Sequence, residues 1–270
     1  WHIQPFAALQ HPLLGQFILT LSIVKVFDSM ITHSVIFAPL GQATRSEQVV
    51  DRLKNAIVTG LLEANEQLPN EAELSKLMGV SHITIREALN TLRNKNLIHT
   101  VRGRNGGSFV CELPKDQLRA EHPLREISSA FLADLGELHA AILSHSTKLA
   151  CERSTANDLE KLAEFIDVFA QALTPETRAQ ADMRCLLTLA AHAQSARLAN
   201  LELAIQAEWA SLVAMIYTDV LHAQVLQHYR DLQAALKAQN SAQAADIANE
   251  MLQTLTDALI ASKFSYDQNQ

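Results

Sequence analysis

Three helical hydrophobic patterns followed by two short strand-like segments constrain the fold of this chain most strongly. The first pattern of apolar residues at helical spacing ends at Gly60. A second helix is expected to begin at Asn70, because Glu73 stands three positions further on, as in a capping box. A third helix is expected to begin at Ser81, its N-cap, and to end near residue 94.

Two segments with strand composition follow the third helix directly. Residues 97–101 and 108–112 flank a basic, glycine-rich turn at 102–107. Two helices joined by a short glycine-containing turn form a helix-turn-helix, and a hairpin placed behind them forms a wing. We therefore expect a winged helix-turn-helix over residues 44–112.

The charge of the chain is distributed unevenly. The net charge is −7, which by itself argues against a nucleic-acid partner. Residues 44–113, however, carry nine Lys and Arg against eight Asp and Glu, whereas residues 114–270 carry 12 basic and 20 acidic residues. Phosphate contact requires a local basic patch, not a basic chain, so the first domain remains a candidate DNA binder.

The third helix and the glycine-rich turn are the expected DNA-contacting elements. In a helix-turn-helix the N-terminal part of the second helix enters the major groove, and a basic wing lies along a groove. The side chains expected to face DNA are Ser81, His82, Thr84 and Arg86 on the helix and Arg102, Gly103, Arg104 and Asn105 in the turn.

The remainder of the chain is expected to be helical. Ala and Leu are abundant and aromatic residues make up only 5%, a composition that favours helices. Residues 113–123 are expected to be a linker, residues 124–262 an all-α bundle of six or seven helices, and residues 263–270 a tail. Helix breaks are expected near 154–157, 174–175, 195–196 and 240–241, and a single apolar helix is expected around 200–220. The fold class is therefore mainly α.

Residues 1–43 are expected to be an N-terminal extension, non-native or disordered in part. Their apolar stretch at 17–27 is too short to span a bilayer, so we expect no membrane association. Met30 lies just before the organised region and is our candidate for the natural start. The three cysteines show no CxxC spacing, which is typical of a reducing cytoplasm.

Three sequence blocks resemble the N-terminal domain of GntR-family bacterial transcription regulators. They read QLPNEAEL at 67–74, GVSHITIREAL at 79–89 and GRNGGSFV at 103–110. The resemblance covers about 65 residues and implies a homodimer on a palindromic duplex operator. Ala72 and His82 stand where the family usually has Arg, and each good base contact contributes about 1–3 kcal/mol. Recognition is therefore expected to depend on Arg86, Thr84 and the wing.

The helical half resembles the effector domain of the FadR subgroup, known as the FCD type. The similarity lies in the run LACERST at 149–155 and in residues 182–198. Such domains dimerise and hold a small organic acid, and many hold a divalent metal through one Asp and three His.

The metal ligands that this resemblance implies are mostly replaced. Asp182 matches the family Asp, but Leu186 stands at the first His position and Met251 at the third. The second falls at Tyr229 or, with a one-residue shift, at His228. We therefore expect no metal cofactor, or at most a degenerate site made by Asp182 and His228.

The effector-binding candidates are His139, Asp182, Arg184, His228 and Tyr229. His139 stands where the family has an Arg that binds the effector carboxylate. Each histidine is nevertheless expected at a partly exposed or core-edge position, and Arg184 is expected on the surface. Trp209 and Tyr217 are expected to make core or dimer contacts.

Two functions remain open. The first is a cytoplasmic transcription regulator, expected to be a repressor, which a small metabolite such as an organic or sugar acid controls through the helical domain. The second is a regulator whose helical domain only dimerises and binds neither metal nor effector. An enzyme is not expected, because the chain shows no nucleophile and base arrangement, phosphate loop or metal motif.

Overall fold

The computed structural model describes residues 36–37, 45–103, 106–114, 117 and 121–268. Of the expected extension at 1–43, only Ile36 and Phe37 are described, and both are buried in the core of the first domain. Met30, Arg104 and Asn105 lie outside the described residues.

The first domain is a winged helix-turn-helix, as predicted. Its elements are α1 (Arg45–Val58), α2 (Glu71–Met78), α3 (His82–Asn94), β1 (Ile98–Val101) and β2 (Gly107–Val110). The capping box before α2 is present: the Asn70 side chain accepts hydrogen bonds from the amides of Ala72 and Glu73, and the Glu73 carboxylate accepts one from the Asn70 amide, all at 3.0 Å. Gly79 ends α2 in the left-handed conformation, with φ of 65°.

The wing is an antiparallel hairpin in which Val101 lies opposite Gly107. A Cβ atom at Gly106 would lie 2.3 Å from the carbonyl oxygen of Val101, so the end of the hairpin requires glycine there. The segment before α2 pairs with β2, because the Leu68 amide donates to the Ser108 carbonyl at 2.9 Å. The wing is thereby fixed relative to the helices.

The second domain is an all-α bundle in which the described residues form six helices. These are α4 (Ser129–Arg153), α5 (Ala156–Gln171), α6 (Pro175–His192), α7 (Ala196–Val213), α8 (Asp219–Lys237) and α9 (Ser241–Gln268). A 3₁₀ turn at Pro123–Arg125 precedes them. Thr155, Thr174 and Ser195 cap helices at three of the predicted breaks. The mainly-α fold class is confirmed.

Two expectations about the helix ends were wrong. The single helix expected around 200–220 is divided, because α7 ends at Val213 and Thr218 caps α8. The last helix also continues past residue 262. Lys263 is buried there and donates to the Leu124 carbonyl at 2.9 Å, so this end belongs to the bundle and is not a tail.

Helices α4 and α9 approach each other closely at Gly136. A Cβ atom at this position would lie 2.3 Å from Oγ1 of Thr256, so the absence of a side chain sets the separation of the two helices. None of the described helices combines the length and apolarity needed to cross a membrane.

The first domain packs on the bundle through α1 and α7. Met183 of α6 and Ala210 of α7 belong to the hydrophobic core of the first domain. Beside this contact, the buried Lys54 lies 3.6 Å from the carboxylate of Glu126, which precedes α4. The two domains therefore share apolar packing and an ion pair.

Candidate DNA-binding surface and buried polar cluster

The start of α3 is fixed by its own hydroxyl groups. The Ser81 Oγ accepts a hydrogen bond from the Thr84 amide at 3.1 Å and lies 2.9 Å from the Thr84 hydroxyl. This arrangement satisfies a backbone donor at the helix end. Any DNA contact by Ser81 or Thr84 has to share a hydroxyl with the cap.

Three neighbouring side chains project from the first turns of α3. His82 and Arg86 are exposed, as predicted, and Ile83 is 70% exposed. Sequence reasoning missed Ile83. The sequence does indicate its exposure, because the buried face of α3 runs through Ile85, Ala88 and Leu89, and Ile83 does not fall on that face. An exposed aliphatic side chain beside an arginine suits contact with a thymine methyl group.

The guanidinium of Arg86 is held by Glu71, the first residue of α2. Its Nε and Nη2 donate to one carboxylate oxygen of Glu71 at 3.2 and 3.0 Å. The Arg86 side chain is nevertheless 65% exposed. The ion pair therefore orients Arg86 without burying it. Ala72 and His82, the two departures from the family pattern, are also exposed on these helices.

The wing lies beside this helix surface. Arg102 and Gly103 are exposed at the end of β1, while Arg104 and Asn105 lie outside the described residues. The Gln67 amide donates to the Gly106 carbonyl at 3.3 Å, and Arg93 of α3 donates to the Thr100 hydroxyl at 3.0 Å. These contacts connect both sides of the hairpin, near its turn, to the helix-turn-helix.

A second candidate site lies inside the bundle, where seven polar or aromatic side chains from several helices meet, each at most 1% exposed. We call this set the polar cluster. It consists of His139 (α4), Asp182 (α6), Glu202, Gln206 and Trp209 (α7), Tyr217 (before α8) and Tyr229 (α8).

Half of the polar cluster is organised around Glu202. Its Oε1 lies 2.9 Å from Nε2 of His139 and accepts a hydrogen bond from the Gln206 amide at 2.8 Å. The ring of Trp209 stands edge-on to His139, with 4.7 Å between the ring centroids. Since Glu202 and Gln206 are four residues apart, both face α4 from the same side of α7.

The other half is organised around Asp182. The Tyr229 hydroxyl donates to its Oδ1 at 2.5 Å. Burial raises the pKa of Asp182 from its ordinary value of 3.8 to about 6, and the hydroxyls of Tyr229 and Tyr217 oppose this rise. The charges of His139 and Glu202 also act on this pKa, so the two halves are electrostatically connected.

Several buried atoms of the polar cluster have no hydrogen-bond partner among the described residues. They are Asp182 Oδ2, Glu202 Oε2, Gln206 Oε1, His139 Nδ1, Trp209 Nε1 and Tyr217 Oη. A buried polar atom without a partner costs about 1–3 kcal/mol, and such atoms are rare in folded proteins. Their concentration in one place marks the cluster as a site where a bound molecule would gain several hydrogen bonds.

The structure corrects three expectations about individual residues. His139 is fully buried and not at a core edge, and Arg184, expected on the surface, is only 3% exposed. The guanidinium carbon of Arg184 lies 5.3 Å from the ring centroid of Phe165. His228 is half-buried with its Nε2 3.4 Å from the Thr254 hydroxyl, so Tyr229, and not His228, meets Asp182.

The metal site that the resemblance implies does not fit these residues. Leu186 and Met251 are both fully buried in the apolar core of the bundle, and Tyr229 offers a hydroxyl that donates to Asp182. Within the described part of the chain, no group of three or more His, Cys, Asp or Glu residues is arranged to hold a metal ion. Asp182 therefore keeps none of the three expected imidazole neighbours.

The polar cluster adjoins the contact between the two domains. Gln206 also lines a narrow crevice between the domains, together with Arg52 of α1 and Met183 of α6. Burial lowers the pKa of Arg52 and raises the pKa of Glu208, and the opposite charge that each presents to the other across this contact offsets part of both shifts. Helix α7 thus contacts both the polar cluster and the first domain.

A third feature is an apolar surface on α4 and α7. Phe131, Leu138 and Leu201 are 42%, 51% and 46% exposed. Leu138 and Leu201 each precede a member of the buried pair His139 and Glu202, so they lie on adjoining helices. We call this surface the α4/α7 face.

Two family models match the chain. The model described as bacterial regulatory proteins, gntR family, matches residues 45–110, and the FCD domain model matches residues 134–254. Together they cover the two domains of the fold.

Named relatives and a solved structure are similar to the chain. It is 43% identical over 179 residues to the putative HTH-type transcriptional regulator RmpR of Mycobacterium gastri, with 65% of each chain covered. It is 30% identical over 157 residues to an uncharacterized HTH-type transcriptional regulator of Mycobacterium tuberculosis, covering 56% of this chain and 62% of the relative. The match therefore spans just under two thirds of both relatives. The structure of E. coli McbR/YncC is 20% identical, with a TM-score of 0.48, over 83% of this chain and 100% of that chain.

Proposed function

Because the chain belongs to the gntR family of bacterial regulatory proteins and carries an FCD domain, we propose that it is a DNA-binding transcription regulator controlled by a small metabolite. One observation carries the DNA-binding part: His82, Ile83 and Arg86 are exposed together at the start of α3, beside a wing that is fixed to the same domain. Polar, apolar and basic groups on one helix end match the mixed chemistry of the major groove.

We further propose that two copies of the chain associate through the α4/α7 face. Leu138 and Leu201 are about half exposed on helices of the effector domain, where solvation of large apolar groups is unfavourable. A symmetric dimer would place two recognition helices on one duplex, which fits an inverted-repeat operator.

The route from metabolite to DNA would run through α6 and α7. Asp182 belongs to the polar cluster, while Met183, the next residue, packs into the core of the first domain. Gln206 contacts Glu202 in the cluster and also lines the crevice against Arg52. A ligand that changed the position of either helix would therefore change the position of the recognition helix. Such control requires the ligand to prefer one arrangement of the domains.

The unpaired atoms favour this function over a helical domain that only dimerises. Dimerisation through the α4/α7 face uses exposed apolar groups and gives no reason to bury the free oxygens of Asp182 and Glu202. A ligand that pairs with these atoms gives such a reason. We propose repression as the output, because a dimer bound across a promoter blocks access to it.

The proposal is tested by selecting DNA with the full-length protein from a random duplex library. We expect enrichment of an inverted repeat, and an affinity that falls steeply as salt rises because phosphate contacts release counterions. A reporter gene with the selected site inside its promoter should then be expressed less when the protein is present. Failure to enrich any sequence would contradict DNA recognition, and increased expression would contradict repression alone.

A further inference from the structure

We propose that the polar cluster binds a small uncharged molecule rich in hydroxyl groups, and that it does so without a metal ion. This inference rests on the proposed metabolite-controlled function and specifies the chemistry of the metabolite. It departs from the organic acid and divalent metal that the family resemblance implies.

The side chains around Asp182 argue against a metal ion. A divalent cation needs several lone pairs directed at one point. Leu186 has none to offer, and Met251 supplies only a thioether, a poor ligand for Zn²⁺ or Mn²⁺. The Tyr229 hydroxyl donates its proton to Asp182 Oδ1, so this oxygen is already engaged by a neutral donor.

The charges of the cluster argue against a carboxylate or phosphate ligand. Asp182 and Glu202 already place two carboxyl groups in a fully buried site. The imidazole of His139 is engaged by Glu202, and the guanidinium of Arg184 lies over the ring of Phe165. A further anion would meet repulsion in a medium of low dielectric constant, where it is weakly screened.

The atoms that lack partners select a group that both donates and accepts hydrogen bonds. The free oxygens of Asp182, Glu202 and Gln206 require donors, and Trp209 Nε1 is a donor that requires an acceptor. The Tyr217 hydroxyl, which also acts on Asp182, can do either. An ammonium group only donates, so it would leave the indole unsatisfied. A hydroxyl group does both, so several hydroxyls on one carbon skeleton match the whole set.

The test compares matched pairs of compounds that differ by one carboxylate: glycerol and D-glycerate, xylitol and D-xylonate, D-glucitol and D-gluconate. Thermal unfolding of the full-length protein is followed with each compound, and so is its affinity for the selected DNA. A ligand at ten times its Kd should raise Tm by about 3–5 °C. We expect such a rise with at least one neutral compound, and none with its carboxylate partner.

Two variants test whether the ligand that raises Tm binds at the polar cluster. Trp209→Phe removes the indole donor and keeps the aromatic packing against His139, and Gln206→Met removes the amide at similar volume. Both should abolish the rise in Tm. His145→Gln, on the exposed side of α4, is the matched control and should keep it.

Metal binding is measured separately by elemental analysis after loading with Zn²⁺ or Mn²⁺ and dialysis. The wild-type protein should retain none, whereas a variant carrying Leu186→His, Tyr229→His and Met251→His should retain more.

Several results would overturn the inference. These are a rise in Tm with the carboxylates alone, no rise with any of the neutral compounds, a rise that survives both cluster variants, or stoichiometric metal in the wild-type protein. If a carboxylate raises Tm and also changes DNA affinity, metabolite control stands and the ligand class is wrong. If a neutral compound binds without changing DNA affinity, the ligand class stands and metabolite control is wrong.

Discussion

Arg86 and Glu71 form an ion pair across the turn of the helix-turn-helix, in which two guanidinium nitrogens donate to a single carboxylate oxygen at 3.2 and 3.0 Å. The arginine is 65% exposed, so this pair contributes little to the stability of the fold. Its consequence concerns DNA. A carboxylate next to the phosphate backbone weakens binding in general, while a fixed guanidinium sharpens recognition of a base.

Glu71→Gln should therefore tighten binding to non-specific DNA by up to about five-fold and lower the ratio of specific to non-specific affinity. The change removes a negative charge and releases Arg86. Fluorescence anisotropy with selected and scrambled duplexes measures both affinities. Glu73→Gln is the matched control, because glutamine keeps the capping box while removing the same charge. If Glu71→Gln and Glu73→Gln give the same ratio of specific to non-specific affinity, the ion pair does not orient Arg86.

Gly136→Ala should destabilise the bundle by about 1–3 kcal/mol. The added Cβ would meet Thr256 Oγ1 at 2.3 Å and Cγ2 at 2.5 Å, so α4 and α9 have to separate. Urea unfolding measures the loss. Thr256→Ala removes both clashing atoms, so the double variant should recover part of the stability. If the double variant loses as much stability as the two single variants together, the helices do not meet at this point.

Asp182 should give the free energy of unfolding a component that decreases as pH rises from about 4 to about 6. Its pKa in the folded protein, about 6, lies above the ordinary 3.8, so over this range the folded state holds more protons than the unfolded state. Each pKa unit between the folded and unfolded values corresponds to about 1.4 kcal/mol of the free energy of unfolding.

Asp182→Asn removes this component and keeps an acceptor for Tyr229. The free energy of unfolding of the variant, relative to that of the wild-type protein, should therefore increase when the pH is raised from 4.5 to 7.5. Urea unfolding at the two values measures the gain, with Asp134→Asn, an exposed carboxylate on α4, as the control. A difference from wild type that does not change with pH would show that Asp182 titrates normally.

Leu138→Glu should convert the proposed dimer to a monomer at micromolar concentration, because it would bury an unpaired charge in the α4/α7 face. Light scattering after gel filtration measures the mass. Leu173→Glu is the control, since Leu173 is 85% exposed on the connection between α5 and α6. A dimer that survives Leu138→Glu, or a monomeric wild-type protein, would place the subunit contact elsewhere or remove it.

The first domain could be predicted closely because its signals are local. The Asn70 capping box and the Ser81 cap each depend on residues within one helical turn, and Gly79 supplies the left-handed helix end. Such features follow from backbone chemistry before any tertiary contact forms. The exposure of Ile83 is also visible in the helical pattern, but its position beside Arg86 gives it meaning only once the surface is known.

The polar cluster could be predicted only in part because its contacts join distant segments. His139 and Glu202 are 63 residues apart and meet only because α4 packs against α7. The choice between His228 and Tyr229 is a rotation of about 100° on one helix, which a one-residue uncertainty cannot resolve. Arg184 is buried over an aromatic ring supplied by another helix, so its own neighbours in sequence give no indication of its position.

The affinity of Arg86→Ala for the selected duplex tests the central claim most directly. The ion pair with Glu71 holds the exposed guanidinium of Arg86 at the start of α3, the proposed recognition helix. We predict that this variant loses specific binding in a gel-shift assay while its mass in solution and its thermal unfolding stay the same as in the wild-type protein. Wild-type affinity in a folded, dimeric Arg86→Ala variant would contradict the assignment of α3 as the DNA-reading helix.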